Sequence, residues 1–279
     1  MNLTRGQESS ALCAAENRLS YAGWRVAAVC HIGVLTGFAT VFIYSFSFMV
    51  KPVQHEFGWN SEQIARAFSL AAISVAICSP FMGRLFDHIE PRKLIAAMMA
   101  ALGLGLGSLA YLTPHLTQLY ASSVFIGIAG TGTYQLGYAR IVTGWFERRL
   151  GAALSIVVAG SGVGSLLIPP LVQNLISTVG WRHTYLVLAA FPLLVGAPLT
   201  FAFARAPRSA IHRDTTILKS SGDTSGMAWP QAVTSLSFWL LALGVCALSL
   251  SENGALAHLA PMLSQHGLTP RDVALTASL

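Results

Sequence analysis

Long apolar stretches alternate with short polar ones along most of this 279-residue chain. A bilayer core about 30 Å thick needs roughly 20 apolar residues in a helix, because a helix rises about 1.5 Å per residue. Helices are predicted rather than strands because none of the stretches alternates apolar and polar residues in the manner of a membrane barrel. We predict seven membrane-spanning helices: Val26–Val50, Gln63–Met82, Leu94–Leu112, Leu119–Ala139, Gly151–Val179, Thr184–Ala204 and Ala232–Met262.

The composition supports lipid as the solvent of these helices. Only 10% of the residues are charged and 54% are hydrophobic, whereas a soluble domain is about 25% charged. The net charge of +6 does not indicate nucleic-acid binding, because the basic residues lie between apolar stretches and form no patch with aromatic residues. No CxxC pair, metal-ligand cluster, paired carboxylates or nucleophile constellation is seen. We therefore predict no enzyme, no cofactor, no metal site and no disulfide framework.

The distribution of Lys and Arg predicts the orientation. Basic residues near membrane helices favour the cytoplasmic side. With the N-terminus in the cytoplasm, all but four of the 17 basic residues fall on the inner side, the exceptions being Lys51, Arg66, Arg182 and Arg271. We predict a multi-pass protein of the cell inner membrane with a cytoplasmic N-terminus.

The polar stretches predict a division of the chain into four parts. The longest polar connection contains RDTTILKSSGDTSG and has the composition of a flexible linker. Pro52–Leu70 and Pro261–Leu279 align without gaps, with shared Pro, Gly, Ala, Ser and Leu residues, which indicates that an eighth helix starts near the C-terminus. We expect the chain to stop short of a twelve-helix protein. The predicted parts are a cytoplasmic tail (1–25), a six-helix unit (26–206), a cytoplasmic linker (207–230) and helix seven with the start of helix eight (231–279).

Charge is concentrated in the stretch GRLFDHIEPRK, which joins the second and third apolar stretches. This stretch resembles the loop signature between helices two and three of the major facilitator superfamily. A Glu stands at position 90, where that signature usually has a Gly, so the signature alone does not establish a tight turn. The matching positions are Gly83, Leu85, Asp87, Arg92 and Lys93.

Further stretches are similar to one branch of this superfamily, the bacterial monocarboxylate porters and oxalate/formate antiporters. They are YSFSFMVKPVQHEFGWNSEQIARAFSL, WFERRLGAALSIVVAGSGVGSLLIPPL and GWRHTYLVLA. The resemblance implies an all-α integral membrane fold, namely the six-helix N-terminal half of a major facilitator protein plus a seventh helix. It also implies transport of small organic anions by alternating access, with the lipid bilayer and a small-molecule substrate as partners and a proton as one candidate coupling ion.

Three alternatives remain at this stage. A chain with one complete half is also compatible with a non-transporting remnant. Seven helices are compatible with a seven-helix receptor, although the charge bias and the lack of a Lys in helix seven oppose a retinal protein. Within the superfamily, a drug or sugar carrier is a further alternative.

The resemblance implies a gating role for Gly83, Asp87, Arg92 and Lys93. A Gly at a helix end permits close approach of two backbones, and Asp87 is expected to interact with a helix N-terminus or with Arg92. In the family, this contact helps to close the inner side. The other interpretation is a solvated turn that only sets the topology.

Candidate substrate contacts follow from two arguments. The resemblance implies that helices one, four and seven line the central cavity, where hydroxyl and amide groups donate to a carboxylate without a fixed charge. The second argument concerns Glu252, whose carboxyl lies about 15 Å deep in the membrane and is a candidate for proton coupling or for pairing with a basic group. The other interpretation of Glu252 is a neutral carboxyl bonded to a neighbouring helix. The predicted contacts are Tyr44, Tyr134, Gln135, Tyr138, Glu252 and Asn253.

Other polar and small residues in the helices have simpler interpretations. Arg66 and Arg140 are expected to reach the interface with their long side chains rather than to bind an anion. His31 is expected to be a packed or interfacial residue. Gly160 and Gly164 lie four residues apart, which predicts close packing against another helix.

Overall fold

The structure is a computed structural model that describes residues 21–146, 148–204 and 234–265, with the backbone alone for 252–265. All regular structure in this part of the chain is helical, so the predicted all-α fold is confirmed. The α-helices are Ala22–Leu35, Tyr44–Phe57, Ser61–His88, Pro91–Ala110, Leu116–Thr131, Gln135–Thr143, Leu150–Ala190, Ala197–Phe203 and Leu236–Gln265, with π-helical turns at Ala39–Ile43 and Phe191–Gly196.

These helices group into seven spans that correspond to the seven apolar stretches. The helical segments long and apolar enough to cross a membrane include Leu150–Phe203, which has 54 residues. That length is about 80 Å, or two crossings of the bilayer, and Gly180 divides it with a φ of 83°. We number the spans 1 (22–57), 2 (61–88), 3 (91–110), 4 (116–143), 5 (150–179), 6 (181–203) and 7 (236–265).

Local signals in the sequence account for the turn that starts span 2. Gly58 ends span 1 in the left-handed conformation, with a φ of 70°. Asn60 then caps span 2 and its backbone N–H donates to the Gln63 side chain over 3.0 Å, which completes a capping box. Residues that are close together in the sequence therefore fix the start of span 2.

Spans 1 to 6 pack as one bundle around span 3. The most extensive contacts join span 1 to span 5, span 2 to span 4, and span 3 to spans 4 and 6. Span 3 is central because apolar side chains at helical spacing fill the space between its neighbours. Its large, fully buried side chains are Ile95, Met99, Leu102, Leu106 and Leu109.

Small residues allow spans 1 and 5 to approach closely. A Cβ atom added at Gly160 would collide with the backbone carbonyl of His31, and one added at Gly164 would collide with the side chain of Thr40. The close packing predicted from the spacing of these two glycines is therefore confirmed.

Several predicted parts lie outside the described residues. They are nearly all of the tail (1–25), the linker (207–230) and the start of helix eight. The predicted division of the chain into four parts therefore stays a prediction.

Candidate functional site

Spans 1 and 4 are each interrupted near the middle of their length. In span 1 the helix stops at Leu35 and helical turns resume with the π-helical segment Ala39–Ile43. In span 4 the helix stops at Thr131 and resumes at Gln135. Neither break was predicted, because the apolar composition continues through both; Gly37 and Gly132 were the local signals.

The two breaks contact each other. The backbone N–H of Phe38 donates to Thr133 Oγ1 over 3.2 Å, and the Thr133 hydroxyl donates to the Gly130 carbonyl over 2.9 Å. A Cβ at Gly37 would lie only 2.9 Å from the Thr133 carbonyl oxygen. A side chain at position 37 would therefore push the two breaks apart.

A cavity with a volume of about 580 Å³ lies next to the break in span 4, between spans 2, 4 and 5. Its walls are mostly apolar, with Val75 and Phe86 from span 2 and Val157 from span 5 among the lining residues. Polar groups are contributed by a smaller set, which comprises Ser79, Thr131, Tyr134, Gln135 and Arg140. An apolar enclosure with a few polar groups is typical of a small-molecule site.

Two of the predicted substrate contacts meet at this cavity. Tyr134 and Gln135 are consecutive residues where the second helix of span 4 begins, and both line the cavity. The Gln135 amide donates to Ser161 Oγ of span 5 over 2.9 Å. The Tyr134 ring lies 5.8 Å from the ring of Phe38 of span 1, measured between centroids.

The other predicted contacts do not meet there. Tyr138 is completely buried, packs against Gly33 of span 1, and has its hydroxyl 3.3 Å from Thr200 Oγ1 of span 6. This position favours a packing role. Tyr44 is half-buried on the second helix of span 1 and does not line the cavity. Glu252 and Asn253 fall in span 7, and their side chains lie outside the described residues.

The turn between spans 2 and 3 lies at one end of the bundle. We call this the inner end, because the predicted orientation places it on the cytoplasmic side. Asp87 forms an ion pair with Arg140 of span 4, so the expected contact between Asp87 and Arg92 is corrected. Arg92 instead places its Nε atom 2.5 Å from Glu90 Oε1, and its guanidinium carbon lies 5.9 Å from the centroid of the Phe201 ring in span 6. Arg140 therefore also has an ionic partner, which the sequence analysis did not anticipate.

The turn between spans 2 and 3 is short, although Glu90 stands where the loop signature usually has a glycine. Only Ile89 and Glu90 separate spans 2 and 3, and Glu90 has an ordinary φ of −55°, so the turn is tight without a glycine at this position. Lys93 Nζ lies 3.3 Å from Glu90 Oε2. Burial acts to raise the pKa of the Glu90 carboxyl, but hydrogen bonds from Arg92 and Lys93 outweigh it, and the pKa lies below its usual value.

Gly83 lines the cavity near the inner end of span 2. Among the described residues, no atom lies within 4 Å of a Cβ added at Gly83. The close approach of a second backbone, expected from the resemblance, is therefore not made within this part of the chain. A role of Gly83 in gating stays a prediction.

A cluster at the opposite, outer end was not predicted at all. Arg182, at the start of span 6, donates to the carbonyl oxygens of Ala110 and Leu112 over 2.9 and 3.1 Å and to Glu56 Oε1 over 2.6 Å. The indole N–H of Trp181 donates to Glu56 Oε2 over 2.6 Å. The cluster ties the ends of spans 1, 3 and 6 together.

Aromatic rings complete the outer cluster. The guanidinium carbon of Arg182 lies 4.5 Å from the centroid of the Trp181 ring and 5.7 Å from that of the Phe57 ring. A cation over an aromatic face is attracted by the ring quadrupole. The sequence signal was available: Glu56 and Arg182 are opposite charges at predicted outer ends of two different spans.

The remaining polar residues have structural partners. His31 Nδ1 lies 2.7 Å from the Ile156 carbonyl oxygen of span 5, and since a carbonyl only accepts, Nδ1 carries the proton. Arg66 pairs with Glu62 one turn earlier. Among the described residues, no group of three His, Cys, Asp or Glu side chains is placed to hold a metal ion.

Comparison with known proteins gives one family. The model of the Major Facilitator Superfamily matches residues 32–279. The chain is 26% identical over 255 residues to YhjX, an uncharacterised MFS-type transporter of Escherichia coli (strain K12), covering 86% of the chain and 61% of that protein. It is 29% identical over 174 residues to monocarboxylate transporter 12 of Rattus norvegicus, covering 61% of the chain and 35% of that protein.

A second bacterial relative is similar over a comparable range. YcxA, an uncharacterised MFS-type transporter of Bacillus subtilis (strain 168), is 26% identical over 225 residues, which is 78% of the chain and 53% of that protein. The chain thus spans between about half and three fifths of the length of these two bacterial relatives. The family and the relatives are transporters, so the prediction that the chain is not an enzyme is confirmed.

Proposed function

The chain belongs to the Major Facilitator Superfamily, and from this premise we propose that it acts in a secondary carrier of small organic anions, such as monocarboxylates, that works by alternating access. The observation that carries the proposal is the cavity between spans 2, 4 and 5, with Tyr134 and Gln135 in its wall. The similarity to monocarboxylate transporter 12 supports the choice of an organic anion.

The chemistry of the cavity fits a small molecule with a carboxylate. Its volume of about 580 Å³ lies within the range of roughly 300–1,000 Å³ typical of ligand sites. The Tyr134 hydroxyl and the Gln135 amide are able to donate to a carboxylate, while the apolar walls suit a hydrocarbon body. We include Tyr44, Glu252 and Asn253 in the proposal as contacts from spans 1 and 7, with Glu252 as the candidate for proton coupling.

We assign the gating role to the inner turn. The ion pair between Asp87 and Arg140 joins spans 2 and 4 beside the cavity, so a change in the distance between these spans would break it. Gly83, Arg92 and Lys93 belong to the same turn. The orientation proposed from the basic residues places this turn in the cytoplasm and the protein in the inner membrane, which labelling of an N-terminal tag in intact cells and inverted vesicles would test.

Uptake by proteoliposomes that contain the full chain tests the function. Radiolabelled formate, pyruvate, lactate and oxalate are compared with glucose and ethidium, with and without an inward proton gradient. We expect uptake of at least one carboxylate above protein-free vesicles, and a reduction of about tenfold in Gln135→Leu, which lacks the donor amide.

A matched variant separates substrate contact from interhelical bonding. Ser161→Ala removes the bond between Gln135 and Ser161 but leaves the amide free to bind substrate, so it should retain most of the uptake. Uptake of glucose or ethidium in preference to carboxylates would replace the proposed substrate class. Uptake equal to that of protein-free vesicles for every compound would favour the non-transporting remnant.

A further inference from the structure

The two helix breaks occupy equivalent places in the six-helix unit. The halves of major facilitator proteins contain two inverted repeats of three helices, here spans 1 to 3 and 4 to 6. In these repeats span 1 corresponds to span 4, and span 2 corresponds to span 5. The packing has the same symmetry, because span 1 packs on span 5 and span 4 packs on span 2. The first helix of each repeat is the interrupted one, and the two interruptions meet through Phe38 and Thr133.

The contact between the breaks solves a problem of backbone hydrogen bonding. Non-helical backbone at membrane depth leaves N–H groups without helical partners, and each unsatisfied group costs several kcal/mol. Phe38 and Thr133 are only 3% and 2% exposed, so water does not reach their polar groups freely. The Thr133 hydroxyl accepts the Phe38 N–H from the other span.

Thr133 is followed directly by Tyr134 and Gln135, two of the polar residues that line the cavity. Tyr134 contacts the Phe38 ring, and the Gln135 amide donates to Ser161. Three consecutive residues thus connect span 4 to spans 1 and 5. Thr133 itself is buried and does not line the cavity.

We propose that Thr133 is a positioning residue whose hydroxyl joins the breaks in spans 1 and 4 and thereby orients Tyr134 and Gln135 toward the cavity. The part of the proposal that concerns substrate rests on the proposed function. The joint itself is a property of the two broken helices and is tested without any substrate.

Hydrogen–deuterium exchange of the chain in lipid nanodiscs tests the joint. Thr133→Val keeps the shape of the side chain but removes the acceptor for the Phe38 N–H, so exchange of the peptide that contains Phe38 should accelerate by about tenfold. Thr133→Ser restores the hydroxyl and should return exchange to the wild-type rate. The matched control is Thr184→Val, which is also buried but bonds only to a carbonyl of its own helix.

Thiol labelling tests the orientation of the cavity wall. Gln135→Cys is placed in a chain whose native cysteines are replaced by serine, and a methanethiosulfonate reagent is the probe. We expect Thr133→Val to raise the labelling rate at position 135 by about threefold or more, because the helix start loosens. Labelling of Ser155→Cys, on an exposed face of span 5, should not change.

The outcomes separate the joint from the carrier function. Equal Phe38 exchange in wild type and Thr133→Val, or exchange in Thr133→Ser as fast as in Thr133→Val, would overturn the joint. Faster Phe38 exchange with unchanged labelling at position 135 would overturn the positioning role. Failure of all carboxylate uptake would contradict the proposed function and leave these two readouts intact.

Discussion

The inner and outer ends of the six-helix bundle are held together by different kinds of contact. At the inner end, Asp87 and Arg140 form a single ion pair between spans 2 and 4, with their side chains 56% and 46% exposed. At the outer end, Arg182 has three oxygen acceptors from two spans, and its carboxylate partner Glu56 is also bonded to Trp181.

The difference in contacts indicates which end of the bundle is held together more firmly. An exposed ion pair contributes about 0–1 kcal/mol, and the outer pair of Arg182 and Glu56 is itself 38% and 40% exposed. The outer cluster differs because it adds partly buried hydrogen bonds from Arg182 to two carbonyls and from Trp181 to Glu56, and each hydrogen bond to a charged group contributes roughly 1.5–3 kcal/mol. We infer that the outer cluster fixes the relative positions of spans 1, 3 and 6. The inner pair contributes little to holding spans 2 and 4 together, as the proposed gating role requires.

Arg182→Ala is expected to have the largest effect, because it removes the central residue of the outer cluster. It leaves the carbonyls of Ala110 and Leu112 without this donor and Glu56 without its cation. We expect the free energy of unfolding, measured by denaturant titration in mixed micelles, to fall by about 2 kcal/mol, mainly because two partly buried carbonyls lose their donor. The neighbouring variant His183→Ala, whose ring bonds only to the carbonyl of Val179 four residues earlier, serves as the control. If both variants unfold alike, the outer cluster is not a stabilising contact.

Trp181→Phe would remove one bond of the outer cluster and keep an aromatic ring beside Arg182. Loss of the indole N–H to Glu56 should lower the free energy of unfolding by about 1 kcal/mol in the same titration. Combining it with Glu56→Gln should cost less than the sum of the two single variants, since both act on one contact. Full additivity would show that Trp181 and Glu56 act independently.

A double-mutant cycle at the inner end would sharpen the comparison. Asp87→Asn and Arg140→Gln should show a coupling energy below about 1 kcal/mol, because both side chains are half-exposed. The same cycle with Glu56→Gln and Arg182→Gln should give a larger value. An inner coupling energy equal to or above the outer one would reverse our assignment of the two ends.

The smallest expected effect is the pH dependence of the inner turn. The pKa of Glu90 lies below its usual value because Arg92 and Lys93 bond the charged form. The stabilisation is therefore fully present above the unfolded-state pKa of about 4.3 and is lost as the pH falls through the lower folded-state value. The difference in free energy of unfolding between wild type and Glu90→Gln should be below about 1 kcal/mol at pH 7 and should shrink below pH 4. A constant difference from pH 7 to pH 3 would contradict the assigned pKa direction.

The spans were predictable because their signal is local. Each apolar stretch is as long as the bilayer core requires, and Asn60 with Gln63 marks a helix start within four residues. The glycine spacing of span 5 likewise predicted close packing, since Gly160 and Gly164 must share one helix face.

Partners across the bundle were less predictable. Arg92 lies in the same turn as Asp87 and was expected to contact it, yet the partner of Asp87 is Arg140, 53 residues away, because spans 2 and 4 are packed side by side. Tyr138 was grouped with Tyr134 and Gln135, but the second helix of span 4 turns its side chain toward Gly33 and Thr200. The direction of a side chain after a helix break depends on the geometry of that break.

The amino-acid sequence by itself determined that this chain is a set of membrane helices, because apolar length acts through the solvent and needs no knowledge of neighbours. The resemblance of the turn between spans 2 and 3 to the major facilitator signature was likewise contained in one short stretch of sequence. Only the tertiary structure decided which helices break, that the breaks meet at Phe38 and Thr133, and that Arg182 joins three spans. These features depend on backbone groups and charges that find partners from distant parts of the chain only when the helices are packed.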